Sequence, residues 1–255
     1  MNRSFNYHHF SAISCIMLLV FLQGCGDQKA QRIVDAAIEA HGGSAYESFF
    51  LEFDFRDKHY TAARNGGIYT YSRVFSDNTG QIKDILDNSG FTRYRDGAAV
   101  DLKPERKAAF TRSVNSVIYF VLLPFGLNDD AVNKQWIAET TIDGEPYELI
   151  RVTFDTSGGG EDHQDVFLYW FHQHNNTMDY LAYKYETDGG GQRFRKAVNP
   201  RKEGGILLQD YVNYKPANES IPLEELQSMF AAGTLEKLSE IRLENVRVSP
   251  YREQD

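Results

Sequence analysis

The sequence predicts a β-rich α+β fold: a curved antiparallel sheet, an unclosed barrel, covered by helices that include a buried central one. Three observations lead there. Aromatic residues make up 13% of the chain, from 17 Phe and 15 Tyr, and such side chains favour pleated strands. Short runs of period-two hydrophobicity recur between turns rich in Gly, Asn and Asp. Two longer segments break that rhythm with helical spacing, one early and one central. With 255 residues and 42% hydrophobic content there is material for a sizeable core, and no linker, repeat or low-complexity tract divides it. Residues 31–250 are therefore expected to form a single half-barrel domain.

Gln28 to His41 reads as an amphipathic helix, because Ile33, Ala36, Ala37 and Ala40 fall at i, i+3, i+4 and i+7 and Gly42-Gly43 follow as a stop. From Phe49 the period becomes two: Phe49, Leu51, Phe53 and Phe55 alternate with Phe50, Glu52, Asp54 and Arg56. Asn65-Gly66-Gly67 then turns into a strand at Ile68–Phe75, and Asp77-Asn78-Thr79-Gly80 into one at Gln81–Leu86. Asn88-Ser89-Gly90 and Arg95-Asp96-Gly97 mark two further returns. After Pro104 the segment to Leu123 carries Val114, Val117, Ile118 and Val121 at helical spacing, with Tyr119, Phe120, Leu122 and Leu123 on its other faces; Pro124 ends it. A helix apolar nearly all round is expected to be buried on most sides. Strands resume as a hairpin, Gln135–Asp143 and Pro146–Asp155, followed by Val166–His172, Met178–Glu186, Arg193–Val198 and Ile206–Tyr214. Pro222 to Ala232 is a short helix ending at Gly233, and Ile241–Val248 is a last strand.

Residues 1–24 have the order of a signal peptide. Arg3 supplies the positive end, Ser11 to Leu22 the apolar run, and Gly24 a small residue before Cys25. That run, about twelve residues, is well short of the roughly 20 that span a bilayer. Leu22-Gln23-Gly24-Cys25 resembles the lipobox of bacterial lipoproteins, with Gln23 where a small residue is commoner. The resemblance implies cleavage before Cys25, lipid on its sulfur, and residues 25–30 as a lipidated tether. Two or three acyl chains would anchor the chain stably. Asp27 lies at +3 rather than the +2 of the inner-membrane retention signal, which points to the outer membrane. Cys15 lies in the leader, so no intramolecular disulfide is expected in the mature chain.

Formal net charge is −9, and −10 once Arg3 leaves with the leader. That balance excludes the basic surfaces that nucleic acid or anionic lipid would select. No Gly-x-Ser-x-Gly and no His-Glu-x-x-His is present, and the triple glycines at Gly158–Gly160 and Gly189–Gly191 lack the following Lys-Ser/Thr of a phosphate loop. Neither an enzyme nor a cofactor site is expected; a hydrolase assembled from distant residues is the third reading.

The order of leader, helix, meander, central helix and second meander resembles the lipoprotein-carrier (Lol-type) fold. More closely, Ser113 to Phe120, Leu127-Asn128-Asp129, Asp179 to Tyr183 and Gly191 to Arg195 resemble a lipoprotein family of the Bacteroidota that brings no established activity. The carrier resemblance implies an apolar cavity under the sheet, bordered by Val117, Phe120, Val121 and Leu123, for a lipid or other apolar molecule. The alternative is an interaction or structural module of an envelope complex whose central helix fills that space itself.

Two polar constellations complete the reading. Arg193 and Arg195 share one strand face and suit a carboxylate or phosphate head group at a cavity rim; equally, with Lys196, Arg201 and Lys202 they can balance Glu186, Asp188 and Asp210 across strands. His172 and His174, two apart, with Asp162, His163 and Asp165 nearby, have the residue types of a metal site. The same His pair precedes Asn175-Asn176, where a solvated turn is expected anyway.

Overall fold

The hairpin rhythm runs through both halves of the chain, but the strands assemble into two sheets rather than one. The computed structural model describes residues 27–157, 165–186 and 189–252. Residues 27–41 form helix α1. The first meander comprises β1 (Ser48–Phe55), β2 (Lys58–Asn65), β3 (Ile68–Asp77), β4 (Gly80–Asp87), β5 (Gly90–Arg95) and β6 (Ala98–Val100). Helix α2 (Pro104–Leu122) follows, then β7 (Val132–Ile142), β8 (Glu145–Phe154), β9 (Val166–His172), β10 (Met178–Tyr185), β11 (Gly191–Glu203) and β12 (Ile206–Lys215). Helix α3 (Leu226–Ala231) precedes β13 (Glu236–Ile241) and β14 (Glu244–Ser249). Each sheet has seven antiparallel strands and stays open: β14-β1-β2-β3-β4-β5-β6, and β13-β12-β11-β10-β9-β8-β7.

The single last strand expected at Ile241–Val248 is two strands belonging to different sheets. β13 pairs with β12, and β14 pairs with β1. The period-two pattern carries across the break, so hydrophobicity alone does not reveal it. What fixes the crossing is polar. Asp210 Oδ1 accepts from the Leu243 amide at 3.0 Å and from Arg201 Nη2 at 3.1 Å, and that Nη2 also donates to the Leu243 carbonyl at 3.1 Å. Nearby, Gly204 at the β11–β12 turn has φ +53°, and a Cβ there would stand 2.6 Å from Val248 on β14. Only glycine gives both that backbone and that approach.

The core follows the alternation of the strands. One face of the second sheet packs Ile150, Tyr169, Phe171 and Leu181 against Ala30, Val34 and Ala37 of α1. The opposite face packs Leu168, Trp170, Tyr180 and Phe194 against Leu223 and Leu226 around α3. In the first sheet, Phe53, Tyr60, Leu86 and Phe91 receive Val114, Ile118 and Leu122 of α2, in one cluster with Ile206 and Leu208 of β12. Each such buried aliphatic or aromatic side chain contributes about 1.5–3 kcal/mol.

Both major helices differ from their sequence reading, α1 in which side faces inward and α2 in how far it is buried. In α1 the buried set is Ala30, Val34, Ala37 and His41, one stripe over from Ile33-Ala36-Ala37-Ala40. Residues 27–30, expected as tether, are helical. In α2 only Val114, Ile118 and Leu122 are buried, while Ser113, Asn115 and Ser116 are exposed, so the helix is half-buried rather than enclosed. Polar residues interrupt the run at every turn, and these set the outward side. Pro104 opens the helix, and Leu123, before Pro124, is already extended (ψ 140°).

His41 is fully buried at the end of α1, and its Nε2 accepts the Met178 amide at 3.0 Å. Burial, against a smaller opposing effect of the Leu207 backbone, lowers its pKa from 6.5 to about 4. The unfolded chain therefore binds the extra proton first. Stability is intact above pH 6.5 and is lost as pH falls toward 4, by about 3 kcal/mol for this one group. Chemical denaturation of wild type and His41→Gln is expected to show the wild-type advantage shrinking by that amount from pH 7 to pH 4; a constant difference would contradict it.

Candidate ligand-binding site

Half-burial of α2 leaves a cavity of about 280 Å³ between the helix and the second sheet. Val117 and Val121, one turn apart, supply the helix wall together with Phe120 and the exposed Ser116. Strands β10 and β11 contribute Tyr183 and Arg195, β12 contributes Gln209, Tyr211 and Asn213, and Ile241 and Leu243 close the far side. Exposed Arg56, at the β1–β2 turn, stands at the rim. A second cavity of about 510 Å³ shares Ser116, Phe120 and Tyr183 with the first and continues along α2 past Tyr119, Phe167 and Arg193. The Phe120 and Tyr183 rings, 5.4 Å apart, form the wall between them.

Of the four apolar residues expected at a cavity, Val117, Phe120 and Val121 border this one. Leu123 does not. It is buried, packed with Leu127 against the second sheet, because the chain turns extended there before Pro124. The residues the sequence reading passed over are Tyr183 and the alternating row Gln209, Tyr211, Asn213. Their signal was present: two amides flanking a tyrosine at every second position of a strand otherwise bounded by Ile206, Leu208 and Val212. Burial pushes the Tyr211 hydroxyl well up, so it stays protonated.

The basic cluster separates into unlike members. Lys196 pairs with Asp143 at 2.9 Å, Arg201 with Asp210 at 3.1 Å, and Arg193 with Glu219 at 3.3 Å. Cross-strand and loop acids thus account for three of the five, though by partners largely different from those anticipated, and Lys202 is exposed to solvent. Arg195 is the exception. It is 9% exposed, its Nη2 donates to the Tyr183 hydroxyl at 2.6 Å, and its guanidinium lies 4.1 Å over the Phe120 ring and 5.0 Å over Tyr183. Among the described residues no carboxylate lies within 4.0 Å of it, and its buried Nε has no acceptor. Asn213 Oδ1, in the same cavity wall, is also buried without a partner.

The other constellation is brought together differently from its sequence reading. Glu145, His172 and His174 place one potential ligand atom each within 4.8 Å of one another, while Asp162 and His163 lie outside the described residues and Asp165 is not part of the group. His172 Nδ1 accepts the amides of His174 and Asn175 at 3.1 and 3.3 Å, which places the ring proton on Nε2, facing Glu145 at 3.3 Å. A neutral ring so engaged has no free lone pair for a cation. These contacts lock the β9–β10 turn. The lipidation residue, Cys25, likewise lies outside the described residues.

A family of unknown function (DUF6503) matches residues 8–243 of this sequence. The chain belongs to that family. A comparison with curated proteins found no match. Among solved structures, this DUF6503 chain is similar to a LolA superfamily protein from Nitrosomonas europaea, with 12% identity, a TM-score of 0.48, and coverage of 89% of this chain and 94% of the other. A DUF1329 family protein from Desulfovibrio piger gives 12% identity and a TM-score of 0.44 over 86% and 92% of the two chains. The lipoprotein LppX of Mycobacterium tuberculosis gives 13% and 0.27 over 62% and 89%. Identity this low and superposition this loose leave function to be argued from the site itself.

Proposed function

We propose that this DUF6503 protein is a lipid-anchored envelope protein, on the outer membrane, that holds an apolar ligand between α2 and the second sheet. The observation that carries the reading is the cavity of about 280 Å³ walled by Val117, Phe120, Val121 and Ile241. A well-packed core closes such space with its own side chains, and apolar walls with placed polar groups, here the buried Arg195, Gln209, Tyr211 and Asn213, are the usual form of a small-molecule site. The volume lies near the lower bound of about 300 Å³ for such sites, which suits one chain or a compact apolar group rather than a two-chain lipid.

The anchor rests on the order of Arg3, the apolar run and Leu22-Gln23-Gly24-Cys25. No helix of the described residues is long and apolar enough to cross a membrane. Because residues 27–41 are helical and Cys25 lies two positions before them, lipid on Cys25 would hold the folded part close to the bilayer surface. The test is native mass spectrometry of the full chain released from detergent, with palmitate labelling in parallel. A non-covalent adduct removed by organic extraction, and label that disappears in Cys25→Ser, are expected. Bare protein at saturating added lipid would overturn the binding role, and label persisting in Cys25→Ser would overturn the anchor.

A further inference from the structure

Resting on that reading, we infer that the ligand carries a carboxylate, and that Arg195 receives it: the site is built for a single-chain acidic amphiphile such as a long-chain fatty acid. The protein is acidic overall, with net charge −9, yet it buries this guanidinium among aromatic rings, whereas Arg193, Lys196 and Arg201 each have a carboxylate and Lys202 is exposed to water. Burying a cation without a counter-ion is costly unless something completes its coordination. One of its donors is used, by Tyr183. Its buried Nε has no acceptor among the described residues, and the side chain forms part of the cavity wall.

An anion entering the cavity would accept from this guanidinium in a desolvated setting, where charge-assisted hydrogen bonds are about twice as strong as neutral ones. The Asn213 side chain is next to it in the wall, with Nδ2 donating to Ser239 at 3.3 Å. Val117, Val121 and Ile241 would cover the first part of the acyl chain. A methyl ester of the same chain offers neither the charge nor a full set of acceptor lone pairs. It should bind roughly tenfold more weakly or worse, the factor that 1.4 kcal/mol supplies.

The experiment captures the full chain on scintillation proximity beads in a nonionic detergent and titrates tritiated palmitic acid and tritiated methyl palmitate separately. Expected is at least tenfold tighter binding of the acid by wild type, with Arg195→Gln bringing acid and ester to equal affinity and Arg195→Lys retaining part of the preference. Equal binding of acid and ester by wild type overturns the carboxylate and leaves the cavity reading standing. Binding of neither sinks the cavity reading as well. Competition by lysophosphatidylglycerol stronger than by palmitate would assign the anion to a phosphate head group and overturn the fatty acid. The wild-type ratio decides the matter even where Arg195→Gln fails to fold.

Discussion

Replacing Asp84 with alanine is expected to destabilise the protein by about 3–5 kcal/mol, the range for removing one partner of a buried ion pair. Asp84 is fully buried in β4 between two buried arginines of the flanking strands. Its carboxylate accepts from Arg73 Nε at 3.1 Å and Nη2 at 2.5 Å, and from Arg93 Nε at 2.6 Å and Nη2 at 2.9 Å. Without it two guanidinium groups remain in the interior with no compensating charge. The same cluster holds α2: Arg73 Nη1 donates to Ser113 at 2.7 Å, and Arg93 lies 3.5 Å over the Phe110 ring. The variant should therefore lose ligand affinity as well, since α2 is one wall of the cavity. Urea unfolding measures the first effect. A loss below about 1 kcal/mol would mean that the arginines reach water and that the carboxylate does not hold this layer together.

Val121→Trp is expected to abolish binding of an apolar ligand, with affinity falling by at least tenfold, while the protein stays folded. Val121 faces the cavity from the last turn of α2, one turn beyond Val117, and the indole has about 280 Å³ to enter. Overpacking in a closed core costs roughly 1–3 kcal/mol; here the added volume goes into space already open, so the thermal midpoint should move little. Unchanged affinity in a folded variant would place the ligand elsewhere. A large loss of stability would mean that the space is closed in solution by movement of Phe120.

Most strands were legible because they obey two simple rules. Asn-Gly, Asp-Gly and Asn-Ser-Gly returns fix the hairpins, and alternation such as Phe49, Leu51, Phe53 fixes the inward side. The central helix was legible from Val114, Ile118 and the two flanking prolines. Its degree of burial was not, since Ser113, Asn115 and Ser116 weigh little in a count dominated by Val, Ile, Tyr and Phe, yet they set the side that meets water. The separation into two sheets left no local mark either. It depends on Asp210, Arg201 and Gly204, three residues whose partners lie 9 to 44 positions away. The site was half legible. Val117, Phe120 and Val121 were reached through the cavity that the carrier resemblance implies and Arg195 through strand alternation, but that Arg195 lacks the acids given to Arg193, Arg201 and Lys196 depends on where Glu219, Asp210 and Asp143 fold to. Leu123 was misplaced because the helical pattern runs one residue past the point where Pro124 forces the chain straight.

That the space beside α2 is the place where an apolar ligand resides can be tested without presuming the ligand's head group. A palmitoyl probe bearing a diazirine on its chain is incubated with the full chain in detergent, photolysed, and the adducts are located by peptide mass spectrometry. Adducts confined to residues 116–121 of α2 and to the facing segments around Tyr183, Tyr211 and Ile241, and suppressed by Val121→Trp, are the predicted result. Adducts spread over the surface, or concentrated on α1 or α3 and indifferent to Val121→Trp, would contradict it.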